Sequence, residues 1–334
     1  MKHIILTAII LLVTLFGPVQ AALAAPIAPD ISVVVNPKEL VPAQAGYVHV
    51  GGAYPLDVTV DLDGEPLPVY WTGEGYIAFI VFGFDEPAGE HTVEIRVYNP
   101  RTGETIEQTE TVTVLPFTYQ DESLALAFRL LPLLDHDLNM REEEHLNMIY
   151  AARSPALEWN WPFDFPVPAP IVTSRFGGNR SYNSGMWRSR HTGVDFRQGL
   201  GDPILALASG RVAAVEPMDV RGNVVIVDHG FGVFTQYAHM LEVYVIPGQK
   251  VQQGQPVGTV GNTGRTNGPH LHVEVIVNGQ PVDLIRWMAL SPGFWPPREV
   301  RPEEEAGGGE PGGEAPAEPG GDVPPEPPAE AGGG

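Results

Sequence analysis

The sequence predicts a mainly β protein: a small N-terminal β-sandwich, a helical and proline-rich connector, and a C-terminal antiparallel β-sheet domain. Three observations carry this. Short alternating apolar runs punctuated by turn residues fill Ile31 to Leu115, the period becomes helical between Glu122 and Arg153, and alternation with tight turns returns from Ile171. The expected boundaries are 30–116, 117–170 and 171–300, flanked by an N-terminal leader at 1–24 and a tail at 301–334.

The chain has 334 residues, enough for two cores plus tails. Met1-Lys2-His3 precedes an apolar run from Ile4 to Phe16, then Gly17-Pro18 and the small residues Ala21 to Ala25. This pattern reads as a secretory signal peptide cleaved after Ala24, because a spanning helix needs roughly 20 apolar residues. The expected location is extracytoplasmic, secreted or associated with the cell envelope. There are no cysteines, which excludes disulfides, thiolate metal ligands, a cysteine nucleophile and lipidation of an N-terminal cysteine.

The formal charge of -22 is unevenly spread. Glu303 to Gly334 carries nine acidic residues and no basic one amid Gly, Pro and Ala, so this tail is expected to be disordered. A strongly acidic chain argues against a nucleic-acid partner, since phosphate binding is driven by Lys and Arg.

In the first unit, strands are expected at Ile31–Val35, Tyr47–Val50, Leu56–Asp61, Tyr76–Val81, His91–Tyr98 and Thr109–Val114, with turns at Asp63-Gly64, Pro87-Ala88-Gly89 and Pro100 to Gly103. Gly89 to Ile95 resembles the penultimate strands of immunoglobulin-like modules on bacterial surface proteins, which makes the expected sandwich Ig-like. Leu124, Phe128, Leu131, Leu134, Leu138, Leu146, Ile149 and Tyr150 then fit helices broken near Pro132 and Asp135-His136-Asp137. His136, Glu142 to Glu144 and His145 do not form His-Glu-x-x-His and read as a solvated helix face. Trp159 to Pro170 reads as an extended connector. In the last unit, strands are expected at Ile204–Ala208, Gly210–Val215, Asn223–Asp228, Val233–His239, Gln255–Val260 and His270–Val277, with Trp287 to Trp295 closing the domain.

The chemistry concentrates in Gly268-Pro269-His270-Leu271-His272-Val273-Glu274-Val275 and in Arg190-His191-Thr192-Gly193-Val194-Asp195. On a strand His270, His272 and Glu274 share one face, and Leu271, Val273, Val275 and Val277 the other. An imidazole and a carboxylate from His191 and Asp195 would complete an open metal site of three N/O ligands. Four residues of straight strand would hold those two roughly 13 Å apart, so Gly193 is expected to bend the chain. His239 ends a strand whose alternation groups it with Val233, Thr235 and Tyr237, from which it could approach the cleft. Two imidazoles that bind no metal would supply proton transfer and a donor to a developing oxyanion.

Ser174 to Asp283 resembles the lysostaphin and LytM-type zinc metallopeptidases of family M23, which cut peptide bonds in bacterial peptidoglycan. The resemblance rests on His191-Thr192-Gly193-Val194-Asp195, on Tyr237-Ala238-His239, and on Gly264 through Pro269-His270-Leu271-His272. It is supported by Gly222 to Gly230 and Pro247 to Gln255. It implies a C-terminal metallopeptidase domain with one Zn2+ per chain held by His191, Asp195 and His272, and with His239 and His270 as the catalytic histidines. It also implies a peptidoglycan peptide as substrate. The N-terminal sandwich is a candidate for contact with wall polymer.

Two competing expectations stand beside this one. A catalytically silent scaffold of the same family would activate a cell-wall amidase. A biotinyl or lipoyl carrier would fit the glycine-punctuated hairpin Val251 to Gly264, which lacks a lysine at its tip. His229 reads as a turn residue, Glu274 as a supporting carboxylate at best, and Asn179 and Arg180 as exposed loop polars in preference to cleft-lining residues. Tyr182, Trp187 and Tyr237 are candidates for cleft walls.

Overall fold

The computed structural model describes residues 31–52, 55–291 and 298–299. The expected leader at 1–24 and the acidic tail at 301–334 lie outside these residues. Among the described residues no helix is long and apolar enough to cross a membrane. The chain is mostly β, with antiparallel sheets predominating.

Alternation in the first unit builds two sheets. Ser32–Asn36, Ala45–Gly51, Gly75–Val81 and Val69–Trp71 form a four-stranded sheet in that order. Glu39–Leu40, Thr105–Val114, Gly89–Tyr98, Asp57–Leu62 and Glu65–Pro66 form a five-stranded one. Val48, Val50, Ala78 and Ile80 from the first share a core with Val60, Val93, Ile95, Val97 and Val112 from the second. Every second residue of Val93-Glu94-Ile95-Arg96-Val97 is buried, as period-two patterning requires.

The back of the four-stranded sheet packs on the C-terminal unit. Phe79 lies 5.5 Å from Trp287 between ring centroids, and Tyr70 stacks on Phe231 at 4.6 Å. Trp159, Trp161 and Phe163 gather around the same Trp287. The proline-rich stretch is thus extended chain anchored by its aromatic side chains.

The connector departs from expectation at its start. Asp121–Leu124 is a strand, paired in parallel with Asn179–Tyr182, where the apolar spacing predicted a helix. A partner strand supplied by residues 58 positions onward overrides a local helical period. A 3-10 turn follows at Phe128–Leu134, containing Pro132, and then an α-helix at His136–Ala151. Asp135 caps the helix by accepting from the Leu138 N–H at 2.8 Å. Glu142 is not a solvated residue as expected. It is buried and accepts the Val220 N–H at 2.7 Å, which ties the helix to the turn before the site.

The C-terminal sheet runs in the order Lys250–Val251, Gly210–Met218, Gly222–Gly230, Val233–Val243, Leu271–Val277, Val194–Phe196, Ile171–Ser174. Its two faces are both covered. Val225, Val227, Tyr237, Val273, Val275 and Val277 join the Trp287 core, whereas Val224, Ile226, Phe234, Ala238 and Ile276 meet Leu146 and Tyr150 of the helix. His272 and Glu274 lie on the helix-covered face, at the end the helix leaves uncovered.

His229 lies away from the site and is fully buried. Its Nδ1 is 2.8 Å from the Ser209 carbonyl and its Nε2 is 2.8 Å from Thr235 Oγ1. Burial pushes its pKa down to about 4 from 6.5. Above pH ~6.5 the ring is neutral whether folded or unfolded, and its contribution to stability is complete. Between pH ~6.5 and ~4 the unfolded ring takes up a proton that the folded ring refuses, so roughly 3 kcal/mol of stability is lost over that window. Urea unfolding of the wild type and of His229→Gln at pH 7 and pH 4.5 checks this. The variant should lose less stability on acidification, and equal losses would refute the assignment.

Candidate metal centre

The pairing of Val194–Phe196 with Leu271–Val277 sets Asp195 directly opposite His272. His191 follows directly on the strand Trp187–Arg190, and a bend at Gly193 then separates it from Asp195. Gly193 is needed for space as well as for the bend. A Cβ there would lie 2.3 Å from the Val273 carbonyl oxygen and 2.7 Å from the His272 ring.

His191, Asp195 and His272 converge and are all buried. His191 Nε2 is 3.0 Å from Asp195 Oδ1 and 3.1 Å from His272 Nδ1, and His272 Nδ1 is 2.7 Å from Asp195 Oδ1. Donors at ~2.0–2.2 Å from one tetrahedral zinc would stand roughly 3.3–3.6 Å apart, so the three atoms sit slightly closed around a common centre. Two imidazoles and one carboxylate suit zinc or another borderline transition metal.

The outer ring nitrogens agree with this. His191 Nδ1–H donates to the Arg175 carbonyl at 2.7 Å, and His272 Nε2–H donates to Glu274 Oε1 at 3.0 Å. In the neutral ring each bond fixes the tautomer whose lone pair would face the shared centre, a form that His272 reaches only on giving up the proton that Asp195 and Glu274 favour. Glu274, expected as a supporting carboxylate at best, has that position and also accepts from Thr192 Oγ1 at 2.8 Å.

His239 and His270 stand beside the three. Their ring centroids are 4.8 Å apart, His239 is 5.9 Å from His272, and His270 Nε2 is 3.8 Å from Asp195 Oδ1. His239 Nδ1–H donates to the Thr263 carbonyl at 2.8 Å and His270 Nδ1–H to the Gly268 carbonyl at 2.9 Å, which leaves both Nε2 atoms unprotonated in the neutral rings. His270 precedes the strand, which begins at Leu271.

The route of His239 into the cleft differs from simple alternation. Ala238 pairs with His272 and Tyr237 with Val273, so continued alternation would send His239 to the Tyr237 side, into the Trp287 core. Instead His239 has φ 59, a left-handed conformation that reverses its direction. Tyr237 is no cleft wall: it is fully buried, and its hydroxyl accepts the Leu207 N–H at 2.8 Å. Tyr182 and Trp187 do line the cleft, a groove of about 480 Å³ bounded opposite by Met140 and Asn147 of the helix.

Electrostatics separates three of these imidazoles. Burial, then the neighbouring Arg180, lowers the His191 pKa, and burial with His270 and His272 nearby lowers that of His239 well below its usual value. Burial acts the same way on His272, but Asp195 and Glu274 on either side outweigh it and raise its pKa to about 9. Burial would raise Asp195, yet His191 and Arg180 hold it well below the usual carboxylate range. Glu274 is held down to about 2, against its burial, by His272 and Arg221.

Arg180 is not the exposed loop residue expected. Its Nη2 donates to Asp195 Oδ2 at 2.6 Å. Nothing in the spacing of the sequence points to this, because the contact depends on how two short strands pair.

Residues 189–284 match the family model described as Peptidase family M23. Over 115 residues the chain is 37% identical to the peptidoglycan DD-endopeptidase ShyA of Vibrio cholerae serotype O1, covering 34% of this chain and 27% of that protein. Over 120 residues it is 39% identical to the DD-carboxypeptidase/endopeptidase Mpg of Neisseria meningitidis serogroup B, covering 36% of this chain and 27% of that protein. The match therefore spans about a quarter of the length of these curated relatives. A solved Pseudomonas aeruginosa protein described as a peptidase M23 superposes with a TM-score of 0.55 at 27% identity, covering 74% of this chain and 94% of its own.

Proposed function

We propose, proceeding from the peptidase family M23 domain that this chain carries at residues 189–284, that the protein is a zinc metalloendopeptidase hydrolysing peptide bonds of bacterial peptidoglycan outside the cytoplasm. The observation that carries this reading is the convergence of His191 Nε2, Asp195 Oδ1 and His272 Nδ1, with two further imidazoles alongside. The relative ShyA is named a peptidoglycan DD-endopeptidase, which supports this substrate class, and the leader-like apolar run from Ile4 to Phe16 supports action beyond the membrane.

His191, Asp195 and His272 would hold the ion. When bound, zinc supplies Lewis acidity, polarising the scissile carbonyl and lowering the pKa of a water molecule. His239 and His270 would present their Nε2 lone pairs beside it, anchored through Nδ1, so that one ring would accept the water's proton and, as an imidazolium, then donate it to the charge developing on the substrate. The Tyr182 and Trp187 wall would hold the peptide in register with these two rings. A silent scaffold that activates an amidase needs none of these five side chains in one place.

Purified protein should retain about one zinc per chain and release peptides from isolated cell walls. A chelator should stop the release and added zinc restore it. Peptide release that continues in metal-free protein would refute the reading.

A further inference from the structure

We propose that Glu122, which lies on the connector and outside the matched stretch, is a positioning residue of the metal centre. Through Arg180 it fixes which oxygen of Asp195 faces the two ligand imidazoles. The inference rests on the zinc reading above and deepens it.

The contacts form one chain. Asp195 turns Oδ1 toward His191 and His272, and its other oxygen, Oδ2, receives Arg180 Nη2 at 2.6 Å. The same guanidinium donates from Nε to Glu122 Oε2 at 2.9 Å and from Nη2 to Ser174 Oγ at 2.9 Å. Ser174 Oγ–H closes the loop by donating to Glu122 Oε1 at 2.7 Å. Glu122 therefore grips Arg180 directly and through Ser174, and Arg180 has little freedom left except to hold Asp195.

Backbone pairing places these groups together. In the parallel ladder between Asp121–Leu124 and Asn179–Tyr182, Glu122 is the direct partner of Arg180. The turn before Arg180 is shaped to admit the connector: a Cβ on Gly178 would lie 2.8 Å from the Glu122 carboxylate, and one on Gly177 would meet the Tyr119 ring at 2.0 Å. The next strand, Trp187–Arg190, pairs with Asn179–Tyr182 and leads straight into His191.

Two physical consequences follow for the metal. A carboxylate with both oxygens free can swing between one-oxygen and two-oxygen binding, and a donor fixed on Oδ2 leaves Oδ1 as the single ligand atom. A guanidinium beside a dication would also weaken metal binding by charge repulsion, and Glu122 supplies the compensating negative charge. Glu122 reaches the site through Arg180 and through Ser174, whose Oγ also lies 3.2 Å from His191 Nδ1.

The test uses the full chain. Zinc affinity is measured by competition with a chromophoric chelator, wall-peptide release by the same samples at saturating zinc, and folding by thermal melts of the metal-free proteins. Glu122→Gln should bind zinc 10–100-fold more weakly, with a melt close to wild type. Arg180→Lys should do the same, and the double variant should fall no further than the weaker single, because the pair acts as one unit. If Glu122→Gln fails to fold, Arg180→Lys carries the same comparison. Wild-type zinc affinity in Glu122→Gln overturns the role of Glu122 alone, and so does faster peptide release at unchanged affinity, which would make the ion pair a latch. A wild-type chain that binds no zinc overturns the reading beneath it as well.

Discussion

Replacing His272 with alanine is expected to abolish both zinc retention and peptide release, whereas His270→Ala should keep the zinc and lose turnover by about 10²–10⁴-fold. The two residues are two positions apart, so the contrast tests roles rather than neighbourhood. His272 Nδ1 is within 3.1 Å of both His191 Nε2 and Asp195 Oδ1, and its other nitrogen is held by Glu274. Its removal deletes one of three donors and leaves two buried carboxylates short of a partner. His270 contributes no atom to that triad and is anchored by the Gly268 carbonyl, so its loss spares the donors. Metal content after dialysis and peptide release from cell walls, measured on both variants, separate the cases. His272→Ala retaining a full complement of zinc, or His270→Ala losing as much as His272→Ala, would be incompatible with the roles proposed.

Much of the architecture was legible because alternation is a direct imprint of a sheet with one face buried. The runs at Tyr76 to Val81, Asn223 to Asp228 and His270 to Val277 fall within one or two residues of observed strands. The strand Val69–Trp71 escaped notice, since its three half-buried residues show no alternation. The connector was harder for a different reason. Leu124 and Phe128 fit a helical period, but the chain there gains more from adding a strand beside Asn179–Tyr182, a partner that no local window contains.

The site shows the same division. Residues carried by motifs, His191, Asp195 and His272, come together in one buried group, as the family resemblance implied and as their spacing alone did not. His239 reaches the cleft as well, yet by a left-handed backbone at its own position, against the alternation that was expected to bring it there. A non-glycine residue held at φ 59 beside the candidate metal centre is the sort of local exception that a regular pattern cannot forecast. Glu142 and Arg180 were read as solvated because charged residues usually are. Both are drawn in by specific acceptors and donors, the Val220 amide for one and the Asp195 carboxylate for the other.

The second large effect is expected from a substitution that removes no ligand at all. In Gly193→Ala the added methyl would sit 2.3 Å from the Val273 carbonyl oxygen and 2.7–2.8 Å from His272 Cε1 and Nε2. The carbonyl belongs to a strand paired on both sides, with Val194–Phe196 and with Val233–Val243, so it has little room to retreat. The imidazole must yield instead, and any swing breaks its bond to Glu274 and carries Nδ1 away from Asp195. Overpacking of this kind costs about 1–3 kcal/mol in stability, but the loss of zinc should approach that of His272→Ala because a donor has been turned aside. Gly83→Ala provides the comparison, since a Cβ there meets nothing within 4 Å. Zinc content and melting temperature measured side by side decide the matter: wild-type zinc in Gly193→Ala would mean that the strand gives way and the His272 ring stays put.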